Sequence, residues 1–451
     1  MFDLESVPYF PLKVEEGKEN WLFTNPISGR VDEVNNAAAQ LLKRCDGYRT
    51  FQEIIAELVS SYRTDRSVVL EAALPLLHKL TEEGVLWWRN RRMHLWDIPA
   101  PLAVLWDITG NCNLHCRHCV VDSDSSRTDG LTLAECFRLI DEMASFGVRQ
   151  LIISGGEPTL RPDFLDICAY AAERGLSLQV ATNATRINRN AASALAEFRV
   201  MAQVSLDAAT PSIHDDFRQS PGAWKRCVRG VRHLLAAGIE VTLAATVTTQ
   251  NIENIPNLYN FAAELGVATF RILPFVPGGR GLQSRQLEVS PEQMRRLTLL
   301  LNRLREEKKL TIAPMEFECT LSPPPPAPNS DELHIGCDGA ISYCTINSSG
   351  DVLPCNFFTG VEADNVKNHS FEWIWRNSIF LNYFRSLVTG DIEGYCQSCE
   401  WLGSCRGSCL AANFTRGNIF QSNCHCWLVN GQPEPVAPSG ESFSLSRTPM
   451  R

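Results

Sequence analysis

The chain has no run approaching the ~18 apolar residues that a membrane-spanning helix needs, and its opening, MFDLESVPYF, lacks a basic stretch leading into an apolar one. Neither a membrane role nor a secretory signal is therefore expected, and the expected location is cytoplasmic. Positive charge is also scarce: 42 Lys and Arg stand against 51 Asp and Glu, a net charge of -9. Phosphate backbones are bound by clustered basic side chains, so no nucleic-acid partner is expected either.

Cysteine is abundant, with 17 residues in a 451-residue chain of 44% hydrophobic composition. In a small secreted protein that density would mean disulfides; in a large chain without a signal it points to metal binding. Cys112, Cys116 and Cys119 sit together, and nine more (337, 344, 355, 396, 399, 405, 409, 424 and 426) crowd the last quarter. The scattered Cys45, Cys136, Cys168, Cys227 and Cys319 are expected to be small buried hydrophobes.

Four regions are legible in the pattern. Residues 1–95 combine extended segments (LKVEE, NWLFT, RVDEV) with three helical stretches, one opened by the capping box Thr50 and Glu53. A third helix should end at Gly84, and Val85 to Trp88 then suggest the wing of a winged helix. Residues 100–310 alternate six β runs (LAVLWDI, QLIIS, SLQVAT, AQVSLD, VTLAATV, TFRILP) with amphipathic helices. That is α/β patterning, and it predicts a partial (β/α)6 TIM-like barrel, since the span falls short of the ~250 residues of eight units. Catalytic groups are then expected at the C-terminal strand ends. The proline tract 323–328 reads as a stiff linker, 311–430 as a Cys-rich iron-sulfur domain, and 431–451 as a disordered tail.

The segment CNLHCRHC follows the first barrel strand and spaces Cys112, Cys116 and Cys119 as C-x3-C-x2-C. Three thiolates can hold three irons of a [4Fe-4S] cluster and leave the fourth open; a three-Cys zinc site is the alternative. These residues resemble the radical S-adenosylmethionine superfamily. The resemblance implies that the open iron binds the cofactor's amino and carboxylate groups, and that reduction releases a 5'-deoxyadenosyl radical. Gly155, Gly156, Glu157 and Pro158 are similar to the family's GGEP element, which meets the methionine amino group. VSLDAATPSIHDDFR is similar to the SLD element with its downstream Arg, implying that Ser205 contacts the ribose or carboxylate and Arg218 pairs with the carboxylate. By the same resemblance His118 lies against the adenine with Leu273 nearby, whereas His115 is expected to be a satisfied or exposed histidine.

Cys396, Cys399, Cys405 and Cys409 read C-x2-C-x5-C-x3-C, preceded by Cys337-x12-Gly350-x4-Cys355 and followed by Cys424. This resembles the SPASM domain, which implies two auxiliary [4Fe-4S] clusters and three clusters in all. The implied ligands are Cys337, Cys344, Cys355 and Cys409 for the first, and Cys396, Cys399, Cys405 and Cys424 for the second. Cys344 lies outside the core pattern, and Cys426 is an alternative to Cys424. Sulfatase-maturing relatives carry a basic Asp after the residue matching Cys355; here Asn356 stands there and cannot accept a proton, which argues against that activity.

From LFTN through VNNAAAQLLKRCDGYRTFQEIIAELVSSY to LTEEGVLWW, the N-terminal unit resembles the PqqD chaperone of pyrroloquinoline quinone biosynthesis, which recognises leader peptides. Together the resemblances imply a radical peptide maturase that forms a thioether or carbon-carbon crosslink in a ribosomal precursor peptide, with a flavodoxin or ferredoxin-type electron donor. A haem-type enzyme of small-molecule cofactor biosynthesis is the alternative, and a non-catalytic leader-binding scaffold is a third.

Overall fold

The computed structural model describes residues 3–18, 20–93, 98–127, 130–314, 333–407 and 409–428. Cys319, the proline tract and the 431–451 tail lie outside the described residues.

The N-terminal unit holds β1 (Val7–Tyr9), β2 (Glu15–Glu16), β3 (Trp21–Thr24), β4 (Val31–Val34), the helices Asn36–Leu42, Phe51–Tyr62 and Arg66–Glu82, and β5 (Trp87–Arg89). The Thr50 capping box forms with Glu53, satisfying donors that the first helical turn leaves free. Among the described residues β2, β3 and β4 make an antiparallel sheet with β3 in the middle. Phe23, Leu42, Phe51, Ile54 and Leu77 fill a core separate from the rest of the molecule.

The expected wing is placed differently. β5 pairs with β1 rather than with the three-stranded sheet, and its Trp87, with Tyr9 of β1, belongs to the core of the remainder of the chain. Tyr9 stacks on Tyr383 with centroids 4.1 Å apart, and Gly84 lies so close to Gly417 that a Cβ would fall 1.6 Å from its carbonyl oxygen. The β1–β5 pair is thus a clasp on the C-terminal domain.

The barrel strands are β6 (Ala103–Asp107), β7 (Gln150–Ser154), β8 (Ser177–Thr182), β9 (Met201–Ser205), β10 (Val241–Val247) and β11 (Thr269–Pro274). They are parallel and adjacent in sequence order, as βα repeats dictate. The sheet also runs past the six expected strands. β12 (Thr311–Ile312) extends it beside β11, and β13 (Tyr343–Ile346) joins β6 in parallel before pairing with β14 (Val352–Leu353). The C-terminal domain therefore contributes strands to the barrel edge.

Alternation divides the sheet into two faces. Val104, Trp106, Phe270 and Ile272 pack under the helices. Register puts Asp107, Ser154, Ser205, Arg271 and Leu273 on the opposite face. Arg271 there donates to Gln203 at 3.1 Å, reaching across β10. Cys45, Cys136, Cys168 and Cys227 are all buried in the hydrophobic interior. Among the described residues no helix is long and apolar enough to cross a membrane.

Candidate active site and cluster loops

The loop leaving β6 carries Cys112, Cys116 and Cys119, which gather in one small cluster with Leu114 and Ala223. The loop leaving β7 is clamped onto it: Gly156 N donates to Thr109 O at 2.9 Å and Glu157 N to Asn111 O at 2.8 Å. Only glycine permits this approach. Gly155 has φ +137° and its Cβ would lie 2.4 Å from Thr109 O, while a Cβ at Gly156 would lie 2.3 Å from Asn111 O and 3.0 Å from Cys112 Cβ.

The donor set fits an iron-sulfur cluster. Ser123 N donates to Cys119 Sγ at 3.3 Å and Arg218 Nη1 to Cys116 Sγ at 3.6 Å, hydrogen bonds that suit thiolate sulfur. Burial raises the Cys112 thiol to about 12 and the Cys116 thiol as well. Thiols so placed keep their protons until a metal charge displaces them. A four-iron cluster takes each such thiolate on its own iron. With the cluster and S-adenosylmethionine bound, such a site supplies a carbon radical that removes hydrogen from a substrate.

Two of the expected cofactor-binding residues also have strong partners within the protein. Arg218, expected on the cofactor carboxylate, is buried and donates through Nε to Asp207 Oδ2 at 2.6 Å as well as to Cys116. Burial opposes the charge on Asp207, yet Arg218 and His214 hold its carboxyl far below the ordinary range. The opposing charges hold the guanidinium in place beside the Cys116 sulfur. Asp207 was missed, although an acid at a strand end followed by an Arg was visible in VSLDAATPSIHDDFR. Glu157, expected on the amino group, is fully buried and accepts from Thr159 Oγ1, Thr182 Oγ1 at 2.7 Å and Asn183 N at 2.7 Å. It braces the GGEP loop, and burial raises its carboxyl. Pro158 starts the short helical turn that follows.

Ser205 and Leu273 share the half-buried sheet face at their strand ends. His118 stacks on Phe217 with centroids 4.1 Å apart, and its Nδ1 is buried without a hydrogen-bond partner. Burial and Arg218 hold that imidazole below its ordinary value. His115 is exposed.

In the C-terminal domain Cys399 and Cys405 are each raised first by burial, then by the nearby Cys396 and Cys426. Cys426, the alternative to Cys424, therefore lies near Cys399 and Cys405, as Cys396 does. Cys424 instead meets Arg416 and Glu288, with burial raising it to about 11. The loop of Cys337 lies on the turn between Cys405 and Cys409, with Gly336 N donating to Arg406 O at 2.7 Å. A Cβ on Gly339 would touch both Cys337 Sγ and Pro354, the neighbour of Cys355.

Cys344 departs from the expected ligand set. It is fully buried on β13, in register with Val104 and under the helices, where its charged neighbour is Arg385. Tyr343 faces the other way, toward Cys355 and Asp107. Alternation along the strand turns Cys344 away from Cys355, which makes it a core residue.

Comparison with known proteins agrees with this geometry. Residues 106–262 match the radical SAM superfamily, 331–400 the iron-sulfur cluster-binding SPASM domain, and 20–86 the coenzyme PQQ synthesis protein D family. The chain is 33% identical to the AdoMet-dependent heme synthase of Methanosarcina barkeri over 72% of this chain and 96% of that protein. It is 31% identical to mycofactocin maturase MftC of Mycobacterium tuberculosis over 75% of this chain and 85% of that protein. In fold it is similar to SuiB of Streptococcus suis bound to S-adenosylmethionine, with TM-score 0.61, 20% identity, and coverage of 92% of this chain and 98% of that one. The chain belongs to the radical SAM superfamily. It is a radical S-adenosylmethionine enzyme with a C-terminal SPASM domain and an N-terminal PqqD-type domain.

Proposed function

We propose that this enzyme matures a ribosomally made precursor peptide: the N-terminal domain holds the leader, and the barrel removes hydrogen from a core-peptide carbon so that a thioether or carbon-carbon crosslink forms. The observation that carries the reading is the PqqD-type sheet fixed to the catalytic body. β4 pairs only with β3 among the described residues, and its Val31 is 57% exposed, so a leader segment can add a strand along it. Tethering the leader raises the concentration of the core peptide at the barrel mouth.

Three [4Fe-4S] clusters belong to this reading. Cys112, Cys116 and Cys119 hold the first, with Gly155, Gly156, Glu157, Ser205, His118 and Leu273 shaping the cofactor site. Cys337, Cys355 and Cys409 hold the second with one iron open to a substrate thiolate, and Cys396, Cys399, Cys405 and Cys426 hold the third. Electrons come from a flavodoxin or ferredoxin-type donor. In keeping with radical chemistry, Glu157 and Arg218 fix the loops rather than exchange protons.

The heme synthase relative supports a second reading, a small-molecule enzyme of haem-type biosynthesis. The deciding experiment supplies the reduced, reconstituted chain with S-adenosylmethionine and a precursor peptide whose leader its N-terminal domain binds. Loss of two hydrogens per crosslink from the peptide mass is expected; an unchanged peptide, with turnover of an iron porphyrin carboxylate instead, would favour the second reading.

A further inference from the structure

Asp107 ends β6 on the sheet face it shares with its register partner Ser154. It is 4% exposed. Ser154 hydrogen-bonds the carboxyl, but Oδ2 has no partner, and a buried acceptor left unsatisfied costs free energy that nothing in the fold offsets. The side chain borders a cavity of about 190 Å³ lined also by Thr109, Ser123, Asn347, Asn356 and Thr359, a space of roughly six water volumes. Thr109 leads into the Cys112 loop and Asn356 follows Cys355, so the cavity lies between two cluster loops.

We propose that Asp107 is the proton acceptor for a substrate X–H group seated in this cavity. The identity of that group rests on the peptide reading, under which it is a cysteine thiol: the S–H bond breaks, its electron pair stays on sulfur, and the proton moves to Asp107 Oδ2. The products are a substrate thiolate and a neutral Asp107. Burial lifts the Asp107 carboxyl to about 7, within ~2 units of an ordinary thiol, whereas alcohols and amides lie far above it. Other groups on the cavity are committed or unsuited. Arg127 pairs with Asp122 at 3.6 Å, and Asp351 accepts from Asn347 and Asn365 at 2.9 and 2.8 Å. The Asn356 amide cannot take a proton.

The test uses the reconstituted full chain and has two arms. Infrared difference spectroscopy should show a protonated-carboxyl band titrating near neutral pH, absent in Asp107→Asn, and displaced by the thiol probe N-acetylcysteinamide. With the precursor peptide, Asp107→Asn should lower the ratio of crosslinked peptide to 5'-deoxyadenosine on the order of 10²–10⁴-fold, and Asp107→Glu should restore part of it with a shifted pH profile. If wild type crosslinks no peptide, the maturase reading fails, and the probe-dependent band still decides the role of Asp107. A band indifferent to the probe, a wild-type ratio in Asp107→Asn, or loss of iron from that variant would overturn the proposal.

Discussion

Arg89 on β5 of the N-terminal domain and Asp391 in the C-terminal domain form an ion pair at 3.0 Å, with side chains only 2% and 7% exposed. Arg89 also donates to Ser386 Oγ at 2.6 Å and Ser386 O at 2.7 Å, so the guanidinium is held at both ends of its fork. Buried pairs of this kind specify an arrangement more than they stabilise it, but breaking one strands a charge.

Arg89→Ala should therefore destabilise the chain by about 3–5 kcal/mol. Thermal or denaturant unfolding checks this, and Arg89→Met with Asp391→Leu should recover most of the loss because no charge is left buried. The same contacts mean that deleting residues 1–95 strips cover from Tyr383 and Ser386. Loss of activity after that deletion would mix recruitment with damage to the C-terminal domain.

Iron content distinguishes the two terminal cysteines. Cys426→Ala should lower the iron of anaerobically reconstituted protein by up to about four per chain, the content of one cluster. Cys424→Ala, beside Arg416 and Glu288, should keep it. The reverse result would restore Cys424 as the ligand.

Cys344→Ala should leave iron content and the electron paramagnetic resonance spectrum of the reduced clusters unchanged, and should cost about 1 kcal/mol for the void it leaves. A changed spectrum would return Cys344 to the ligand set.

What the sequence disclosed was what covalent spacing dictates. The residues of CNLHCRHC lie within a few positions of one another on one loop and those of GGEP on the next, and the capping box of Thr50 with Glu53 formed as its spacing predicts. What stayed hidden depended on where the chain returns. Cys344 differs from Cys355 by the face of a strand, and no spacing rule shows that β13 would join β6. The Arg89 and Asp391 pair spans 302 residues, and Arg218 found Asp207 only once the helix after β9 had folded back. The Thr182 and Asn183 bonds to Glu157 cannot be read from a motif either, because both partners come from another strand end.

The central claim is tested most directly by replacing Cys112, Cys116 and Cys119 together with Ala. The reconstituted wild-type chain should carry about twelve irons and cleave S-adenosylmethionine to 5'-deoxyadenosine, and the triple variant should lose about four irons and all cleavage. Cleavage persisting in that variant would contradict the account.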